Sequence, residues 1–283
     1  IIMNTNDLLK FGSTTLKDKK IVSFDLDAEL LLAKVLRKNR QDLLQNLNQK
    51  INKNDLLKFS SLIYRRSSNE PIAYILKRKE FWSKFFHVTK DTLIPRPETE
   101  LMVDQLIKMY KNKKNISVLD MGTGSGCIII SLLSELNNSF GVGIDISHKA
   151  IKVAIKNAKN HSIDTRIKFL NISFSNYFNK KHDLIVSNPP YVSSREFPYL
   201  SEDIKKFEPR IALDGGNDGL DLIKKVIYKT KEILKINGTL ALEIGNKQFR
   251  KVSKILINNN FKIEFRIKDY GDNTRCIIAR KLK

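Results

Sequence analysis

The tetrapeptide Asn188-Pro189-Pro190-Tyr191 combines polar and aromatic groups with a backbone whose direction is fixed. It directly follows the short, largely apolar run 183–187, which is β-rich and too short for a helix and so predicts a buried parallel strand. Two prolines cannot continue a sheet ladder, so the chain must leave the sheet at the carboxyl end of this strand. Open α/β sheets bind ligands beyond such ends. We therefore predict that Asn188 lies in a cleft.

The groups of this motif suit a planar –NH2 group. The side-chain oxygen of Asn188 accepts hydrogen bonds, and so does the carbonyl of Pro189. The proline ring restricts the backbone and thereby orients this carbonyl. Two acceptors can hold both hydrogens of an amide or amino group, while Tyr191 offers a flat face. With Pro190 as a rigid step, the motif predicts a site that orients a weakly nucleophilic nitrogen without a strong base. The alternative is an Asn-Pro turn that only ends a strand, and the motif alone does not decide.

A glycine-rich loop follows another predicted strand, residues 118–121. Glycines at alternate positions let the backbone turn sharply and leave no Cβ between the loop and a ligand. A dinucleotide-binding loop needs a glycine or alanine where Cys127 stands, and a phosphate-binding loop needs a Gly-Lys-Ser/Thr ending. Both features are missing, so we predict that the loop holds something other than a pyrophosphate. Its residues are Gly122, Thr123, Gly124, Ser125 and Gly126.

Asp145 ends the next predicted strand, about 20 residues after the loop, where a carboxylate can accept both hydroxyls of a ribose. A ribose site beside a loop that avoids pyrophosphate fits a nucleoside cofactor without phosphates, and we predict S-adenosyl-L-methionine. Glycine loops also occur as plain turns. Here the loop, Asp145 and the motif at Asn188 occur at three successive places in an α/β pattern, which favours a joint site.

The elements that position these residues follow from the apolar pattern. Residues 4–75 have apolar side chains at helical spacing, which predicts a small helical bundle. The runs 72–76 and 81–88 are aromatic and β-branched, so we predict two paired strands before a turn at 94–97. From residue 98 strands and helices alternate, which predicts a doubly wound α/β sheet whose last two strands are antiparallel. The predicted domains are a helical domain for substrate recognition (1–75), a linker hairpin (76–97) and a catalytic α/β domain (98–283).

The composition sets limits on partners and compartment. The 283 residues carry a formal net charge of +21, which invites a nucleic-acid interpretation. The lysines are scattered, however, with no arginine block and no interleaved aromatics, so we expect a solvated surface and no stable nucleic-acid binding. Cys127 and Cys276 are too few for a disulfide framework, and no spacing suggests a metal site. Without an apolar run of about 18 residues or a signal-peptide pattern, we expect a cytoplasmic protein that does not enter membranes.

Further segments point to a family. They lie at 27–31, 65–66, 70–74, 80–82, 94–100 (Ile-Pro-Arg-Pro-Glu-Thr-Glu), 219–220, 242–245 and 269–270. Together with the glycine loop and the Asn188 motif, the chain resembles, nearly end to end, the peptide-chain release factor glutamine N5-methyltransferase family, the PrmC/HemK group. Adenine-N6 methyltransferases share only the loop and the Asn188 motif, so the segment 94–100 and the helical front domain distinguish the two families.

This resemblance implies a class I (Rossmann-like, seven-stranded) methyltransferase domain preceded by a small helical bundle. It places S-adenosyl-L-methionine on the glycine loop and Asp145, with Asn188 bridging to the substrate. The family usually has an Asp-Trp pair after the third strand, where this chain has Ser173-Phe174. We expect Phe174 to stack on the adenine, while the carboxylate that would bind the adenine amino group is missing.

The resemblance also implies the reaction: methyl transfer to the side-chain amide nitrogen of the glutamine in the Gly-Gly-Gln motif of release factors. Asn188, Pro189 and Tyr191 would be catalytic, and Pro190 would complete the substrate site. The expected partner is the Gly-Gly-Gln domain of a release factor during translation termination, and we expect a monomer. The alternatives are an adenine-N6 nucleic-acid methyltransferase, a ribosomal-protein glutamine methyltransferase, and an inactive RNA-binding protein with this fold.

Overall fold

The computed structural model describes residues 3–178 and 181–282. Five residues of the predicted domains lie outside the described residues: Ile1, Ile2, Asn179, Lys180 and Lys283. The chain forms two compact units, one of Ile1–Lys77 with Ser201–Phe207 and the other of Arg78–Leu200 with Glu208–Lys283. Within the described ranges, no helix combines the length and the apolar composition that crossing a membrane requires.

The first unit is a bundle of short helices, as predicted. Asparagine begins three of them: the side chains of Asn4, Asn39 and Asn52 each accept a hydrogen bond, at 2.8–2.9 Å, from the backbone N–H of the aspartate three residues on. Such caps satisfy N–H groups that a helix start leaves without an intrahelical partner. The helices from residue 5 to residue 76 are α1 (Thr5–Asp18), α2 (Phe24–Leu36), α3 (Arg40–Gln45), α4 (Lys53–Ser67) and α5 (Ile72–Leu76).

The prediction of a strand at 72–76 is wrong, because these residues form the helix α5. The carbonyl of Pro71 accepts hydrogen bonds from the N–H groups of Tyr74 and Ile75 at 3.0 and 3.2 Å, which closes a helical turn. Tyr74 and Ile75 are buried in this turn. A short apolar run fits a strand or a buried helix equally well by its pattern alone, and here tertiary burial selects the helix.

The hairpin therefore lies further along the chain than predicted. Its strands are β1 (Arg78–Phe81) and β2 (Lys84–His87), which pair antiparallel. The turn residues Trp82 and Ser83 have φ of 51° and 53°, the left-handed values of a two-residue hairpin turn. The backbone N–H of Trp82 donates to Glu100 at 2.9 Å and its indole N–H donates to Glu135 at 3.1 Å. These bonds tie the hairpin to the rest of the second unit.

The second unit contains a seven-stranded sheet between helices, which confirms the predicted fold class. The strands are β3 (Ser117–Met121), β4 (Phe140–Asp145), β5 (Ile167–Asn171), β6 (His182–Ser187), β7 (Leu234–Glu243), β8 (Phe261–Lys268) and β9 (Thr274–Lys281). Their order is β5-β4-β3-β6-β7-β9-β8. β9 is antiparallel to both of its neighbours, as predicted for the last two strands, and the other pairs are parallel. The helices of this unit are α6 (Pro97–Tyr110), α7 (Cys127–Glu135), α8 (His148–Asn160), α10 (Asp221–Ile233) and α11 (Phe249–Asn258), whereas α9 (Glu202–Phe207) belongs to the first unit.

The central strands are apolar on both faces. Val118 pairs with Leu184 on one face of the sheet, and Leu119 pairs with Ile185 on the other. Each pair belongs to a different buried cluster, because successive strand residues point to opposite faces. Helices cover both faces of such a sheet, so its strands need nearly continuous apolar sequence. This double burial fixes the register in which the strands end.

Gly12 provides a test of the packing of the first unit. A Cβ at this position of α1 would lie 2.8 Å from Cζ of Phe59 and 3.0 Å from Cδ1 of Ile63. We expect Gly12→Ala to lower the free energy of unfolding by about 1–2 kcal/mol, since overpacking outweighs the gain of roughly 1 kcal/mol in helix propensity. Urea unfolding followed by circular dichroism measures this change. Thr14→Ala, on the exposed side of α1, is the matched control, and equal stability of the two variants would contradict the packing.

Candidate active site

Three neighbouring strands bring the predicted site residues to one edge of the sheet. Met121, at the end of β3, pairs with Ile144 of β4 on one side and with Ser187 of β6 on the other. Because the three strands are parallel, the chain segments that follow them leave the sheet at the same edge. The glycine loop, Asp145 and Asn188 are therefore adjacent.

The backbone of the glycine loop is left-handed where it leaves β3. Gly122 and Gly124 have φ of +77° and +54°, which glycine adopts without the strain that other residues meet. The N–H groups of Gly122 and Thr123 donate to the carbonyl of Ile144 at 2.9 and 3.0 Å, which draws the loop towards β4. A Cβ added at Gly122 or Gly124 would meet no atom within 4 Å. The loop thus borders open space.

Asp145 is fixed against this loop by two backbone donors. Its Oδ2 accepts from the N–H of Gly124 at 3.0 Å, and its Oδ1 accepts from the N–H of Ser147 at 2.8 Å. Burial raises the pKa of Asp145, and the N–H donors of Ser147 and Gly124 oppose that rise. Each carboxylate oxygen keeps a lone pair for another donor, so Asp145 can accept hydrogen bonds from a ligand.

A second carboxylate, Asp120, supports the loop and was not predicted as a site residue. Its side chain is buried, and the hydroxyl of Thr123 donates to its Oδ2 at 2.8 Å. Burial raises the pKa of Asp120 to about 7, the Thr123 hydroxyl lowers it, and the negative charge of Asp145 raises it further. Asp120 therefore holds the loop from inside the protein.

The Asn188 motif leaves β6 as predicted. The hydroxyl of Ser187 donates to the carbonyl of Met121 at 2.7 Å, which ties β6 to β3 just before the motif. After the motif, the N–H of Val192 donates to the carbonyl of Leu213 at 3.0 Å. The half-buried side chain of Asn188 makes no hydrogen bond with any other residue in 3–178 or 181–282. Its oxygen and its amide are thus available to a ligand.

Tyr191 is held by groups distant in sequence. Its hydroxyl donates to Oε1 of the buried Glu243 at 3.2 Å, and the hydroxyl of Thr99 donates to Oε2 of the same carboxylate at 2.6 Å. The side-chain amide of Gln248 donates to the carbonyl of Tyr191 at 3.1 Å. Burial raises the pKa of both Tyr191 and Glu243. None of these three partners was predicted as a site residue, although Thr99 and Glu243 fall in the segments 94–100 and 242–245.

A cavity of about 540 Å³ lies beside the loop, Asp145 and Asn188. Three predicted site residues do not line it: Gly126, Pro189 and Tyr191. Tyr191 instead borders a second depression of about 660 Å³, which Pro190 does not line. The predicted site residues that do line the cavity are Gly122, Thr123, Gly124, Ser125, Asp145, Phe174, Asn188 and Pro190.

Phe174 forms an apolar wall of the cavity together with Ile146 and Ile172. Its neighbour Ser173 does not line the cavity. The hydroxyl of Ser173 accepts from the N–H of Ser175 at 3.3 Å and shares a hydrogen bond of 2.7 Å with the hydroxyl of Ser175. Ser173 therefore stabilises its own turn and does not replace a carboxylate at the cavity.

The Ile-Pro-Arg-Pro segment forms another wall, and Glu208 anchors it. Pro95 and Arg96 line the cavity. The guanidinium of Arg96 donates to Oε1 of the buried Glu208 at 2.5 Å, and the N–H of Ile94 donates to its Oε2 at 3.1 Å. The next residue after Glu208, Pro209, also lines the cavity. One carboxylate thus holds two cavity walls together.

The sheet order with its antiparallel β9, the glycine loop after β3 and the acidic end of β4 define the class: a class I methyltransferase, which uses S-adenosylmethionine. Residues 112–270 match the family model described as "Methyltransferase domain", and residues 7–76 match the model described as "PrmC N-terminal domain". A solved methyltransferase structure from Pyrococcus furiosus has a TM-score of 0.52 at 15% identity and covers 70% of this chain and 89% of its own. At this identity the likeness shows the fold.

Relatives identify the family. A Fusobacterium nucleatum protein named "Release factor glutamine methyltransferase" is 41% identical over 262 residues, which are 90% of this chain and 73% of that protein. A Clostridium botulinum protein of the same name is 38% identical over 282 residues, covering 99% and 100% of the two chains. A "Bifunctional methyltransferase" of Rickettsia prowazekii is 38% identical over 299 residues, and this chain spans only 56% of its length. The chain belongs to the release factor glutamine methyltransferase family, which confirms the predicted resemblance.

The cavity fits the cofactor of this family. The open space beside Gly122 and Gly124 admits a ligand against the backbone, Asp145 offers carboxylate oxygens, and Phe174 offers an apolar ring. The volume of about 540 Å³ lies within the range of small-molecule sites. The predicted cofactor, S-adenosylmethionine, agrees with these features.

Asp120 makes stability depend on pH in a defined direction. Since its pKa rises from 3.8 to about 7 on folding, the folded protein holds the proton more tightly, and the free energy of unfolding should fall as pH rises from about 4 to 7. Asp120→Asn removes this titration while its side-chain oxygen still accepts from Thr123. We expect the stability of the wild type relative to this variant to drop by on the order of 4 kcal/mol over that range.

The fluorescence of Trp82, the single tryptophan, reports urea unfolding of the second unit at each pH. Asp164→Asn, on the exposed surface of the same unit, is the control for general pH effects. A difference between the wild type and Asp120→Asn that stays constant from pH 4 to 8 would show that Asp120 is not a buried titrating acid.

Proposed function

We propose that this chain transfers the methyl group of S-adenosylmethionine to the side-chain amide nitrogen of the glutamine in the Gly-Gly-Gln motif of peptide-chain release factors. The observation that carries this proposal is the half-buried Asn188 beside the cavity, whose side chain has no hydrogen bond within the described part of the chain. Relatives at 41% and 38% identity that are named for this activity support it.

The cofactor would be held by the glycine loop, Asp145 and Phe174. The loop backbone would lie against it at Gly122 and Gly124, Asp145 would accept the ribose hydroxyls, and Phe174 would stack on the adenine. When bound, S-adenosylmethionine supplies a methyl group on a sulfonium sulfur, and this sulfur leaves readily as a neutral thioether. The protein therefore mainly has to position the acceptor nitrogen and exclude water.

Asn188 and Pro189 would position the acceptor. The side-chain oxygen of Asn188 and the carbonyl of Pro189 each accept one hydrogen of the glutamine –NH2 group, which leaves the nitrogen lone pair free to face the methyl group. Such orientation can lower a barrier by roughly 7–11 kcal/mol when both partners are well held. Pro190 would contact the acceptor from the cavity wall. Tyr191, which borders the second depression and not the cavity, would act on the amide through the position that it gives to the Asn188 motif.

The transfer needs no dedicated base. An amide nitrogen that has gained a methyl group is strongly acidic and loses its extra proton to water. The carboxylate nearest to Tyr191 is Glu243, which already accepts hydrogen bonds from Thr99 and Tyr191. The role we assign to this site is therefore orientation, not proton abstraction.

The wider setting follows from this activity. We propose a cytoplasmic, monomeric enzyme that acts on translation termination by modifying release factors. We also propose that residues 1–75 help to hold the release factor and that 98–283 carry out the transfer. The segment 76–97, predicted as a linker, belongs from Arg78 onwards to the second compact unit. The net charge of +21 favours an adenine-N6 nucleic-acid methyltransferase as a second candidate, since the Asn188 motif would also hold an adenine amino group.

Methyl transfer from labelled S-adenosylmethionine to a purified release factor tests the proposal. We expect label on the wild-type release factor and none on its Gly-Gly-Gln→Gly-Gly-Ala variant, which separates the target glutamine from other acceptors. Purified DNA, ribosomal RNA and ribosomal proteins serve as competing acceptors in the same assay. Label on nucleic acid and none on the release factor would replace the proposal by the second candidate.

Asn188→Ala separates orientation from cofactor binding. We expect kcat for release factor methylation to fall by at least about 100-fold, because loss of one positioned hydrogen-bonding group costs a factor of that order. The Kd of S-adenosylmethionine, measured by calorimetry, should change by less than about threefold, since most of its proposed contacts remain. Asn160→Ala, at the exposed end of α8, is the matched control. Turnover near the wild-type rate in Asn188→Ala would rule out this role for Asn188.

A further inference from the structure

Glu243 is a buried carboxylate between two walls of the site. It is the last residue of β7 and is 3% exposed. Its two oxygens accept from two hydroxyls, Thr99 at 2.6 Å and Tyr191 at 3.2 Å. No lysine, arginine or histidine of the described ranges forms an ion pair with it. The carboxylate thus depends on neutral donors.

The two hydroxyls belong to different parts of the site. Thr99 lies in the first turn of α6 and lines the cavity, two residues after Pro97 at the end of the Ile-Pro-Arg-Pro wall. Tyr191 ends the motif that begins with Asn188, and its backbone carbonyl is held separately by Gln248. Glu243 therefore joins the start of α6 to the loop that would hold the acceptor amide.

A buried carboxylate without a cationic partner destabilises the folded state, because the charged group loses its hydration. An apolar residue of similar volume would avoid this loss. Burial raises the pKa of Glu243, as expected for such a site, with Glu98 raising it further and the hydroxyls of Thr99 and Tyr191 and the charge of Arg275 lowering it. A contribution to stability therefore does not explain why a glutamate occupies this position. Its geometry does, since a carboxylate can accept hydrogen bonds from two hydroxyls that approach from different directions.

We propose that Glu243 is a positioning residue for methyl transfer: through Tyr191 and Thr99 it sets the position of the Asn188 loop relative to the cavity wall. This role rests on the proposed function, because it concerns the acceptor amide that Asn188 and Pro189 would hold. Glu243 itself does not line the cavity, so it acts through its two partners. A shift of the loop by about 1 Å can reduce the rate of a well-positioned reaction by about 100-fold.

Glu243→Gln keeps the size and one acceptor but removes the second. We expect kcat for release factor methylation to fall by about 10–100-fold, with the KM for the release factor and the Kd of S-adenosylmethionine each within about threefold of the wild type. A residue that served only the fold would lower the amount of active enzyme and the cofactor binding capacity together. Glu264→Gln is the matched control: it makes the same change on β8 of the same sheet, where Glu264 pairs with Arg280, and should leave kcat unchanged.

Variants of the partners keep the test decisive if Glu243→Gln folds poorly. Thr99→Val removes the hydroxyl at constant volume and should lower kcat, whereas Thr99→Ser keeps the hydroxyl and should restore most of it. Tyr191→Phe keeps the ring, and its effect on kcat should be smaller in the Glu243→Gln background than in the wild type, because the contact is already weakened there.

The outcomes separate this role from the proposed function. A wild-type chain that binds S-adenosylmethionine but does not methylate the release factor overturns the proposed function and the role with it. A wild-type chain that methylates the release factor, together with a folded Glu243→Gln variant of unchanged kcat, overturns only the role of Glu243. The role of Glu243 would also be overturned if Thr99→Val and Thr99→Ser lowered kcat equally. The same holds if the effects of Tyr191→Phe and Glu243→Gln on kcat were fully multiplicative in the double variant.

Discussion

The parallel register of three central strands is the constraint on which the site depends. β3 pairs in register with β4 and with β6, and both β3 and β6 carry buried apolar side chains on both faces, so neither can slide without exposing them. The chain consequently leaves the sheet at the same level after each strand. A glycine loop, a carboxylate and an amide that lie far apart in sequence thereby share one cavity wall.

Buried acids then hold the walls of that cavity. Asp120 holds the glycine loop from below through Thr123, and Glu208 holds the Ile-Pro-Arg-Pro segment through backbone and guanidinium donors. Glu243 does the same for the Asn188 loop and the start of α6. Each acid contacts a segment that lines the cavity, so a small displacement of one carboxylate is transmitted directly to the surface that a ligand meets.

The sequence predicted those parts of the structure that local patterns encode. The strand preceding Asn188, the glycine loop and the acidic end of β4 each follow from fewer than about ten neighbouring residues, so these local patterns indicate the α/β class and place the loop, Asp145 and Asn188 at one edge of the sheet. The supporting acids could not. The bonds Thr99–Glu243 and Ile94–Glu208 join residues 144 and 114 positions apart, and nothing in either segment marks the partner. The helix α5 was missed for a related reason: burial by distant residues decides the conformation of a five-residue apolar run.

The hairpin of β1 and β2 has a consequence for how such chains could exchange parts during evolution. Asn157 of α8 bonds both the N–H and the carbonyl of His87, at 2.7 and 2.9 Å, and also the carbonyl of Ser125 in the glycine loop. The hairpin is thereby built into the catalytic unit through a side chain that also supports its cofactor loop. A recombination that replaced the helical front of the chain would preserve the site if the junction fell near Lys77, but a junction after the hairpin would remove part of the support of the loop.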